Sequence, residues 1–500
     1  MSAPFHDLRS YLAWLEADGG LRRVPCEVDK DEELACLARW AMECTPAAEQ
    51  YGMLFENVRG HDAPVALHLF ATHDRYAAAL GVQREGMLAR WSCAMREPLA
   101  PQVVADAPAY ERVSLEPDLS RLPIPVWTPG RDAGPYIPSA VVITKHPQTG
   151  VQNCGTYRIQ VHDRATLGVF FGSRLQHGAR HHALWTKARQ PTPVALAIGV
   201  APAIAFAAAA KTAYGIDEMG IAGALMGAAA AVVGGKTVDL LVPATAEIVI
   251  EGVIDPTEMR PEGPFGEALG HMYDAAPAPV IRVTAICHRE RPIFHGYVQQ
   301  LPPSDGHIVM EMGVLGPLWH YLTDKLGLTE ITDLAIAPGS AGVAALVVQL
   351  APSAASRAAS IGRTLAKLNF GQKVVYLVDD DVDVRDAETI NWALSARVDP
   401  ARDIALFDKT ATFQPDPAVL RRAATDGRAL AGAPYECSLC VVDATVKCDV
   451  PEVALPGAAR MQAARDRWHE TGLPPLRPRP RLSRLLARHS ESDLWRRRPS

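Results

Sequence analysis

The sequence predicts a multidomain α/β protein with an N-terminal α/β region, a central split antiparallel β-barrel and a C-terminal α/β domain. Three observations support this fold class. The chain has 500 residues, which is more than one ordinary hydrophobic core accommodates. Strand patterns dominate its middle, whereas helical and strand patterns are mixed near both ends. The middle strands are joined by turns and one alanine-rich helical insertion, which indicates an open or split antiparallel barrel.

The composition limits the possible partners and the compartment. Apolar residues make up 48% of the chain and charged residues 21%, which is typical of soluble globular proteins. The formal net charge is −6, whereas a nucleic-acid-binding domain is clearly basic. The cysteines are scattered, as in reduced cytosolic proteins, and the N-terminus lacks the layout of a secretory signal. We therefore expect a cytoplasmic protein with no nucleic-acid or membrane partner.

The N-terminal domain is expected to span residues 1–115. Leu8, Leu12 and Leu15 recur at helical spacing before Gly19, which predicts an opening helix. Further predicted elements are a helix at residues 31–42 and strands at residues 54–58 and 65–69. The stretch from about residue 97 to residue 134 is rich in proline and aspartate, which predicts a long surface linker.

The central domain is expected to span residues 116–302 and to consist mainly of strands. The predicted strands lie at residues 140–144, 151–162, 247–254, 280–287 and 292–298. Strand alternation places Arg158 and Gln160 on one face together with Thr156 and His162. The most apolar run, residues 194–210, contains Pro202 and is a poor membrane span. It is better interpreted as a buried strand followed by a turn or helix.

The C-terminal part is divided into a connecting helix at residues 303–330, an α/β domain at residues 331–465 and a tail at residues 466–500. Predicted helices lie at residues 308–326, 357–368 and 387–397, and predicted strands at residues 345–350 and 373–378. The tail is rich in arginine and proline, which predicts disorder. Contact with an acidic partner is the alternative role of the tail.

The segment Glu262-Gly-Pro-Phe-Gly-Glu267 carries the clearest chemical signal. On a regular strand or helix, two carboxylates five residues apart point away from each other. Gly263, Pro264 and Gly266 break both regular structures and allow a tight loop that turns both acids into one pocket. An arginine beside them would keep one acid ionised and leave the other free to carry a proton. The segment therefore predicts an acid–base site.

Three other motifs resemble known binding sites but lack residues that those sites require. Gly234-Gly-Lys-Thr237 resembles the end of a phosphate-binding loop, but the required first glycine would fall at Ala230. Cys437 and Cys440 have only Cys448 nearby, which argues against structural zinc. The acidic run at residues 379–383 lacks the glycine and distal glutamate of a calcium loop. These acids are expected to be structural or to lie at a domain contact.

Four polar residues carry weaker signals, and each of them also has a structural explanation. His177 and His181 lie four residues apart on a predicted helix, a spacing that suits a metal site but also an exposed polar face. Glu218 starts the next apolar helix, where a carboxylate also complements the helix dipole. Asn153 precedes Gly155 at a strand start, where a simple turn role is the alternative.

Taken in order, these segments closely resemble the UbiD family of reversible decarboxylases, over roughly residues 5 to 465. The motifs that carry the resemblance are Asn153-x4-Arg158, Gln176-His177, Glu218-x4-Gly223-Ala-Leu-x-Gly227, Glu262-Gly-Pro-Phe-Gly-Glu267, Val378-Asp-Asp-Asp-Val-Asp383, Asn391-Trp-Ala-Leu-Ser-Ala-Arg-Val-Asp-Pro400 and Val442-Asp-Ala-Thr445. The arginine-rich tail lies outside the resemblance. The fold that the resemblance implies, with the flavin bound in the split barrel, agrees with the one predicted from the residues.

The resemblance implies prenylated FMN as the cofactor, together with a divalent metal, usually Mn²⁺, and K⁺. It assigns the metal that joins the cofactor phosphate to Asn153, His177 and Glu218. A hard cation with oxygen ligands neutralises a phosphate, and Mn²⁺ also accepts a histidine. The other cofactor contacts implied by the resemblance are Thr156, Tyr157, Arg158, Gln176 and, in place of a lysine common in the family, Arg357.

The catalytic set implied by the resemblance is Arg158, Glu262 and Glu267. Arg158 is expected to pair with Glu262 beside the flavin, and Glu267 is expected to be the proton donor. The reaction would proceed through a covalent adduct between substrate and cofactor, with the proton delivered after CO₂ leaves. Burial under a closing domain is expected to raise the pKa of Glu267.

The implied substrate is an aromatic or heteroaromatic carboxylic acid, and carboxylation is the same reaction reversed. Cinnamate-type acrylic acids are an alternative substrate class, and a non-catalytic flavin-binding subunit of a (de)carboxylase complex is an alternative function. His307 and Met310 are predicted to line the substrate pocket; a solvent-facing histidine at a helix start is the alternative for His307. The resemblance also implies that a flavin prenyltransferase supplies the cofactor and that the chain forms a homodimer or a higher homo-oligomer.

Overall fold

The structure is a computed structural model of the chain, and it describes residues 5–340, 342, 344–351, 357–368, 371–411, 416, 418, 436–447, 453–476 and 485. These residues form two compact units. The first unit takes in the described residues up to Lys325 together with residues 342, 416 and 418. The second unit takes in the others, from Leu326 onward.

The first unit contains both helices and strands along its whole length. Its helices are α1 (Leu8–Ala17), α2 (Leu34–Cys44), α3 (His73–Ala79), α4 (Met87–Arg96), α5 (His177–Lys187), α6 (Pro202–Ala209), α7 (Glu218–Met226) and α8 (Gly306–His320). Its strands are β1 (Leu21–Val28), β2 (Gly52–Val58), β3 (Val65–Leu67), β4 (Gln102–Val103), β5 (Arg112–Ser114), β6 (Tyr136–Ile137), β7 (Val141–Lys145), β8 (Gln152–Thr156), β9 (Arg158–Asp163), β10 (Thr166–Phe170), β11 (Thr192–Ile198), β12 (Ala231–Gly234), β13 (Leu241–Pro243), β14 (Ile248–Glu262), β15 (Phe265–Gly266), β16 (Met272–Tyr273), β17 (Ala276–His288) and β18 (Phe294–His295).

The N-terminal part of this unit combines α1 to α4 with a four-stranded sheet of order β1-β2-β3-β18. Helix α1 is confirmed, and the Asp7 side chain caps it by accepting the N–H of Ser10 at 2.8 Å. Helix α2 begins three residues later than predicted. The reason is the Asp29 carboxylate, which accepts the N–H groups of Asp31 and Glu32 and closes a turn there.

The central part is a nine-stranded antiparallel sheet that curls into half a barrel. Its order is β6-β9-β10-β17-β14-β11-β7-β8, with β5 beside β17. Its longest pair is β14 and β17, which runs from the pairing of Ile248 with His288 to that of Glu262 with Ala276. β-branched residues fill the buried half of β14, as expected for strands of a sheet core. The predicted split antiparallel barrel is confirmed, and the apolar run 194–210 forms a strand followed by helix α6.

The prediction of a surface linker from residue 97 to residue 134 was wrong. Leu119, Leu122, Ile124 and Trp127 of this stretch are buried in the main hydrophobic cluster. The Trp127 indole also donates a hydrogen bond to the Tyr136 carbonyl at 2.8 Å. The prolines keep most of the stretch out of regular strands, but the apolar side chains between them still lose contact with water by packing on the sheet. Proline content therefore predicted irregular backbone, not exposure.

The phosphate-loop-like segment at residues 234–237 is occupied by a carboxylate of the same chain. Glu251 is fully buried, and it accepts the N–H groups of Lys236 at 2.9 Å and Thr237 at 2.6 Å. The Thr237 hydroxyl at 2.8 Å and the Tyr110 hydroxyl at 2.7 Å complete its hydrogen bonds. The backbone N–H groups that a phosphate-binding loop would offer to its ligand are therefore used by Glu251.

The second unit is a five-stranded mixed sheet with helices. Its strands are β19 (Ile331–Ile336), β20 (Ala345–Leu350), β21 (Val374–Asp379), β22 (Ile404–Ala411) and β23 (Glu436–Asp443), in the order β19-β20-β21-β23-β22. Its helices are α9 (Ala358–Leu368), α10 (Ala387–Arg397), α11 (Pro400–Asp403) and α12 (Ala458–Asp466). The buried Arg397 pairs with Asp379 at 3.4 Å and with Asp381 at 2.5 Å. The expected structural role of these acids is therefore confirmed.

Parts of the C-terminal predictions lie outside the described residues. Of the tail predicted to be disordered at residues 466–500, the structure describes only residues 466–476 and Leu485. The bounds of the five segments given above stay predictions. Within the part of the chain that the structure describes, no helix combines the length and hydropathy needed to cross a membrane.

Candidate active site

Arg158 joins the two carboxylates of the Glu262–Glu267 segment. Its Nε donates to Glu262 Oε1 at 2.8 Å and its Nη2 donates to Glu262 Oε2 at 2.7 Å. Its remaining Nη1 contacts Glu267 Oε1. Only 9% of the Arg158 side chain and none of the Glu262 side chain is exposed, whereas 18% of the Glu267 side chain is exposed. The structure thus brings together the three predicted catalytic residues.

A break in the backbone after β14 turns the two acids toward the same arginine. Glu262 is the last residue of β14, and Gly263 follows with φ +100° and a cis bond to Pro264. A Cβ atom at Gly263 would lie 3.1 Å from the Asp274 carbonyl, so glycine is required by both conformation and space. The short hairpin of β15 and β16 then carries Glu267 in its connecting turn. The loop expected from the glycines and proline is therefore present.

The charges of the three side chains are coupled. Burial opposes the charge on Arg158, but Glu267 and Glu262 outweigh this effect and raise the pKa of Arg158. Burial raises the pKa of Glu267, and repulsion from Glu262 adds to it, whereas Arg158 acts in the opposite direction. The rise prevails because burial is the largest of these effects, while Arg158 offers Glu267 only one nitrogen. The raised pKa makes Glu267 a carboxyl that can hold a proton.

Aromatic rings surround the arginine, and sequence reasoning had not assigned them to the site. The guanidinium lies 4.1 Å from the centre of the Phe170 ring and 5.5 Å from that of Phe265. Tyr136 stacks on Phe265 with ring centres 4.0 Å apart. These contacts restrict the position of Arg158 and reduce its hydration. Phe265 could have been assigned to the site from the sequence, because it lies inside the Glu262–Glu267 motif. Phe170 lies in strand β10, and no feature of the sequence indicated that it belongs to the site.

A second cluster contains the three predicted metal ligands. Glu218 Oε1 lies 3.5 Å from His177 Nδ1, and both residues stand at the first position of a helix, α7 and α5 respectively. Glu218 is held by the Cys154 N–H at 3.0 Å and by the Thr212 hydroxyl at 2.9 Å. Asn153 is the neighbour of Cys154 in β8 and is buried. Thr212 is a member of this cluster that sequence reasoning missed.

The donor set of this cluster fits a divalent cation. The separation of the Glu218 oxygen and the His177 nitrogen is one that two ligands of a single ion can have. The Asn153 amide nitrogen is buried and has no hydrogen-bond partner among the described residues, and a bound ligand is one way to pair such a group. The described residues contain no group of three His, Cys, Asp or Glu with metal-site geometry. The predicted set contains two such residues and an amide.

Tyr157 connects the two clusters through the chain. It separates β8, which carries Asn153, from β9, which starts with Arg158. The Tyr157 hydroxyl accepts the N–H of Gly178 at 3.1 Å, in the first turn of α5. Since five residues of extended chain span at most about 17 Å, Asn153 and Arg158 are two ends of one short segment. Tyr157 was predicted to contact the cofactor, and this role stays a prediction.

The other predicted cofactor contacts are distributed over both units. Gln176 is the residue before α5 and directly precedes His177, and Thr156 ends β8 and pairs with Val141. Arg357 lies in the second unit, where it forms an ion pair with Glu330 and remains about half exposed. The cofactor roles of these three residues stay predictions.

The two predicted pocket residues lie in the first two turns of α8. Met310 is partly buried. His307 is buried, and both of its ring nitrogens are within hydrogen-bond distance of the backbone: Nδ1 is 2.8 Å from the Ser304 nitrogen and Nε2 is 2.7 Å from the Ala268 carbonyl oxygen. A solvent-facing His307 is therefore excluded, and contact with substrate stays a prediction.

Comparison with known protein families finds three matching models that follow one another along the chain. They are the N-terminal domain of 3-octaprenyl-4-hydroxybenzoate carboxy-lyase over residues 12–95, its Rift-related domain over residues 102–302 and its C-terminal domain over residues 314–444. These are the domain models of the UbiD family. The central model contains both clusters described above.

Individual relatives match nearly the whole chain. An uncharacterised protein of Archaeoglobus fulgidus is 35% identical over 441 residues, which cover 82% of this chain and 87% of the relative. The UbiD-class enzyme HmfF of Pelotomaculum thermopropionicum, solved with FMN, is 31% identical with a TM-score of 0.80, covering 92% of this chain and 100% of its own. An evolved dimeric form of HmfF was solved with prenylated FMN, with 32% identity, a TM-score of 0.77 and the same coverage.

Another similar structure is that of an enzyme named for its substrate. Vanillic acid decarboxylase of Sedimentibacter hydroxybenzoicus, in its open form, is 26% identical with a TM-score of 0.77. The match covers 94% of this chain and 98% of that enzyme.

Proposed function

This chain belongs to the UbiD family of carboxy-lyases, and on that basis we propose that it is a prenylated-FMN-dependent decarboxylase of an aromatic or heteroaromatic carboxylic acid. Glu267 is the proton donor in this proposal, and Arg158 and Glu262 complete the catalytic set. The reaction is non-oxidative and reversible, so carboxylation is the same chemistry in the other direction.

The observation that carries the proposal is the unequal sharing of Arg158 between two acids. Glu262 accepts hydrogen bonds from both nitrogens of one guanidinium edge. The Arg158–Glu262 ion pair therefore has a fixed geometry, and its opposite charges largely cancel. Glu267 contacts the remaining nitrogen and is the more exposed of the two acids. A carboxylic acid in that position can hold a proton and release it to a carbon that has lost CO₂. Glu262 and Arg158 keep this acid in place throughout.

The cofactor would be held at two places by residues of this chain. Asn153, His177 and Glu218 would bind the divalent metal that neutralises its phosphate, and the donor set described above fits such an ion. Arg158 would lie beside the ring system. When bound, prenylated FMN would supply an electrophilic ring system that takes up the electron pair left on the substrate when CO₂ leaves. The metal identity, Mn²⁺, and the additional K⁺ belong to the proposal.

The choice of aromatic acids is supported by the relatives. Vanillic acid decarboxylase, a structural neighbour at 26% identity, acts on an aromatic acid. Glu267 is partly exposed and contacts Arg158. Phe170 and Phe265 bring ring surfaces close to the same guanidinium, and such surfaces suit a planar substrate. An α,β-unsaturated acid of the cinnamate type presents a similar plane and is the second substrate class to test.

The assay of this proposal uses protein co-expressed with a flavin prenyltransferase and purified without oxygen. CO₂ release would be measured with furan-, pyrrole-, indole-, phenazine- and hydroxybenzoate-type carboxylic acids, and with cinnamate. We expect release from at least one aromatic or heteroaromatic acid and none from protein produced without the prenyltransferase. Release from cinnamate alone would move the substrate class to acrylic acids. No release from any acid, by protein that contains the cofactor, would favour a non-catalytic subunit.

A further inference from the structure

The turn that carries Glu267 is tied to helix α8 by one side chain. Two backbone hydrogen bonds close this turn, from the Glu267 N–H to the His271 carbonyl at 3.0 Å and from the Gly270 N–H to the Glu267 carbonyl at 2.8 Å. The carbonyl of Ala268, the residue after Glu267, is the acceptor in neither of these bonds and lies 2.7 Å from His307 Nε2. Ala268 and His307 are both buried. The contact is therefore a shielded hydrogen bond next to the proposed proton donor.

The protonation of His307 follows from its two backbone partners. The Ser304 N–H donates to Nδ1 at 2.8 Å, so Nδ1 carries no proton. Nε2 must then carry the proton in order to donate to the Ala268 carbonyl, which is only an acceptor. Burial lowers the pKa of His307, and this favours the same neutral tautomer. Both ring nitrogens are thus used by backbone groups, and neither is left to bind a substrate carboxylate.

The segment that precedes α8 supports the same turn by packing. A Cβ atom at Gly270 would lie 2.9 Å from Pro302 and 3.1 Å from Leu301, so the turn rests directly on these residues. Arg39 holds the segment from the other side, because its Nη1 donates to the carbonyls of Leu301 at 2.5 Å and Pro303 at 3.0 Å. The start of α8 therefore provides a fixed surface against which the Glu267 turn is positioned.

We propose that His307 is a positioning residue for Glu267, acting through its hydrogen bond to the Ala268 carbonyl and not through contact with substrate. This inference rests on the proposed role of Glu267 as proton donor. Rotation of the turn about its ends would move the Glu267 carboxyl relative to Arg158 without breaking either turn hydrogen bond. The bond from His307 opposes that rotation, because its loss leaves a buried carbonyl without a donor.

Two substitutions separate the two hydrogen bonds of His307. In His307→Gln the amide group reaches about the position of Nε2, so it donates to Ala268. In His307→Asn the amide group lies at about the position of Nδ1, so it accepts from Ser304 and leaves the Ala268 carbonyl unpaired. Both variants keep a polar side chain at the start of α8. They form a matched pair in which only the glutamine restores the bond to the turn.

Amide hydrogen exchange tests the positioning without reference to activity. We expect peptides that cover residues 264–273 to exchange about tenfold faster or more in His307→Asn than in wild type, and at nearly the wild-type rate in His307→Gln. Peptides from β17, residues 276–288, serve as the folding control and should be unchanged in both variants. Equal protection of the turn in wild type and His307→Asn, with β17 unchanged, would overturn the proposal.

Steady-state kinetics of the holoenzyme provide the second measurement, with the aromatic acid that wild type decarboxylates fastest in the panel above. We expect kcat of His307→Asn to fall about tenfold or more with KM nearly unchanged, because a displaced proton donor impairs a chemical step. His307→Gln should recover most of kcat. A rise in KM in both variants, with kcat retained, would instead mean that His307 contacts substrate.

The two measurements distinguish failure of the positioning role of His307 from failure of the proposed function. If wild type releases no CO₂ from any acid, the proposed function fails, and hydrogen exchange alone still shows whether His307 holds the turn. If wild type is active while His307→Asn retains both turn protection and kcat, the proposed function stands and the positioning role is wrong.

Discussion

Arg158 holds its two carboxylate partners in different ways, and at the residue scale this difference supports the roles proposed for them. The bidentate pair with the fully buried Glu262 uses the edge of the guanidinium formed by Nε and Nη2. A bidentate pair of this kind is geometrically specific and strong. Glu267 receives a single nitrogen and keeps part of its side chain exposed. One acid is thus suited to fix the arginine and the other to exchange a proton.

The substitution Glu267→Gln tests the proton donor. The amide keeps the size of the side chain but cannot deliver a carboxyl proton, so we expect kcat for CO₂ release to fall roughly 100-fold or more. Flavin content and folding should be unchanged. CO₂ release by Glu267→Gln within a factor of about three of wild type would remove Glu267 from the mechanism.

The pH dependence of wild type follows from the direction of the Glu267 shift. Burial raises the pKa of this carboxyl, and only the protonated form can donate. The rate of a step that needs this proton therefore falls as pH rises through the raised pKa, above the pH at which an ordinary glutamic acid loses its proton. We expect kcat to show this decline in wild type and the residual activity of Glu267→Gln to lack it.

The substitution Glu218→Ala tests the proposed metal site. It removes the carboxylate that lies 3.5 Å from His177 and leaves the Cys154 N–H and the Thr212 hydroxyl without their acceptor. We expect protein purified after co-expression with the prenyltransferase to lose manganese and flavin together. Glu267→Gln is the control, because it should retain both. Flavin binding by Glu218→Ala at the wild-type level would exclude a metal link through Glu218.

At the scale of elements, the chain from β8 to β9 is the central structural feature of the site. Asn153 of β8 belongs to the proposed metal cluster and Arg158 of β9 to the acid–base cluster, with Tyr157 between the two strands. The Tyr157 ring packs so closely on β8 that a Cβ atom at Gly155 would lie 2.7 Å from it. The Tyr157 hydroxyl also binds the first turn of α5. The glycine at position 155 therefore lets one aromatic side chain set the positions of a strand and a helix.

The substitution Gly155→Ala should destabilise the protein by about 1–3 kcal/mol, since the tightly packed Tyr157 ring has to move. Thermal unfolding, with loss of flavin followed in parallel, provides the measurement. Gly234→Ala is the matched control, because no atom lies within 4 Å of a Cβ atom at that strand position. Equal melting temperatures of the Gly155→Ala variant and the control would contradict the close packing of Tyr157.

The elements differ in how well the sequence predicted them. The strands β14 and β17 were identified because long runs of β-branched residues form paired strands in the core of a sheet. The end of β14 and the start of β17 were not, since β14 continues to Glu262 through half-buried and exposed residues that pair with Ala276 and its neighbours. The stretch containing Trp127 was wrongly predicted to lie on the surface. Its prolines indicate an irregular backbone, but they carry no information about burial.

The candidate site shows the same division between local and long-range information. The turn between Glu262 and Glu267 is local, and Gly263 and Pro264 predicted it. The contact of Arg158 with Glu262 joins residues 104 positions apart, and no spacing rule predicts such a contact. Only the resemblance to a family connected them. The bond between His307 and Ala268, 39 positions apart, was found only in the structure.

At the scale of the whole molecule, the described residues form two units that differ in construction. The first is built around one curled antiparallel sheet, and both clusters lie in it. The second is a mixed five-stranded sheet whose buried Arg397 is paired with two aspartates. Matches to the three UbiD domain models and to HmfF extend over most of both units. The family assignment therefore applies to the whole architecture and not to the site alone.

The identity of the bound cofactor is the most direct test of whether the chain is a prenylated-FMN-dependent decarboxylase. The chain would be co-expressed with a flavin prenyltransferase, purified without oxygen and analysed by mass spectrometry of the released small molecule and by metal analysis. We expect prenylated FMN together with manganese in wild type. Folded protein that carries neither a flavin nor a divalent metal would contradict it.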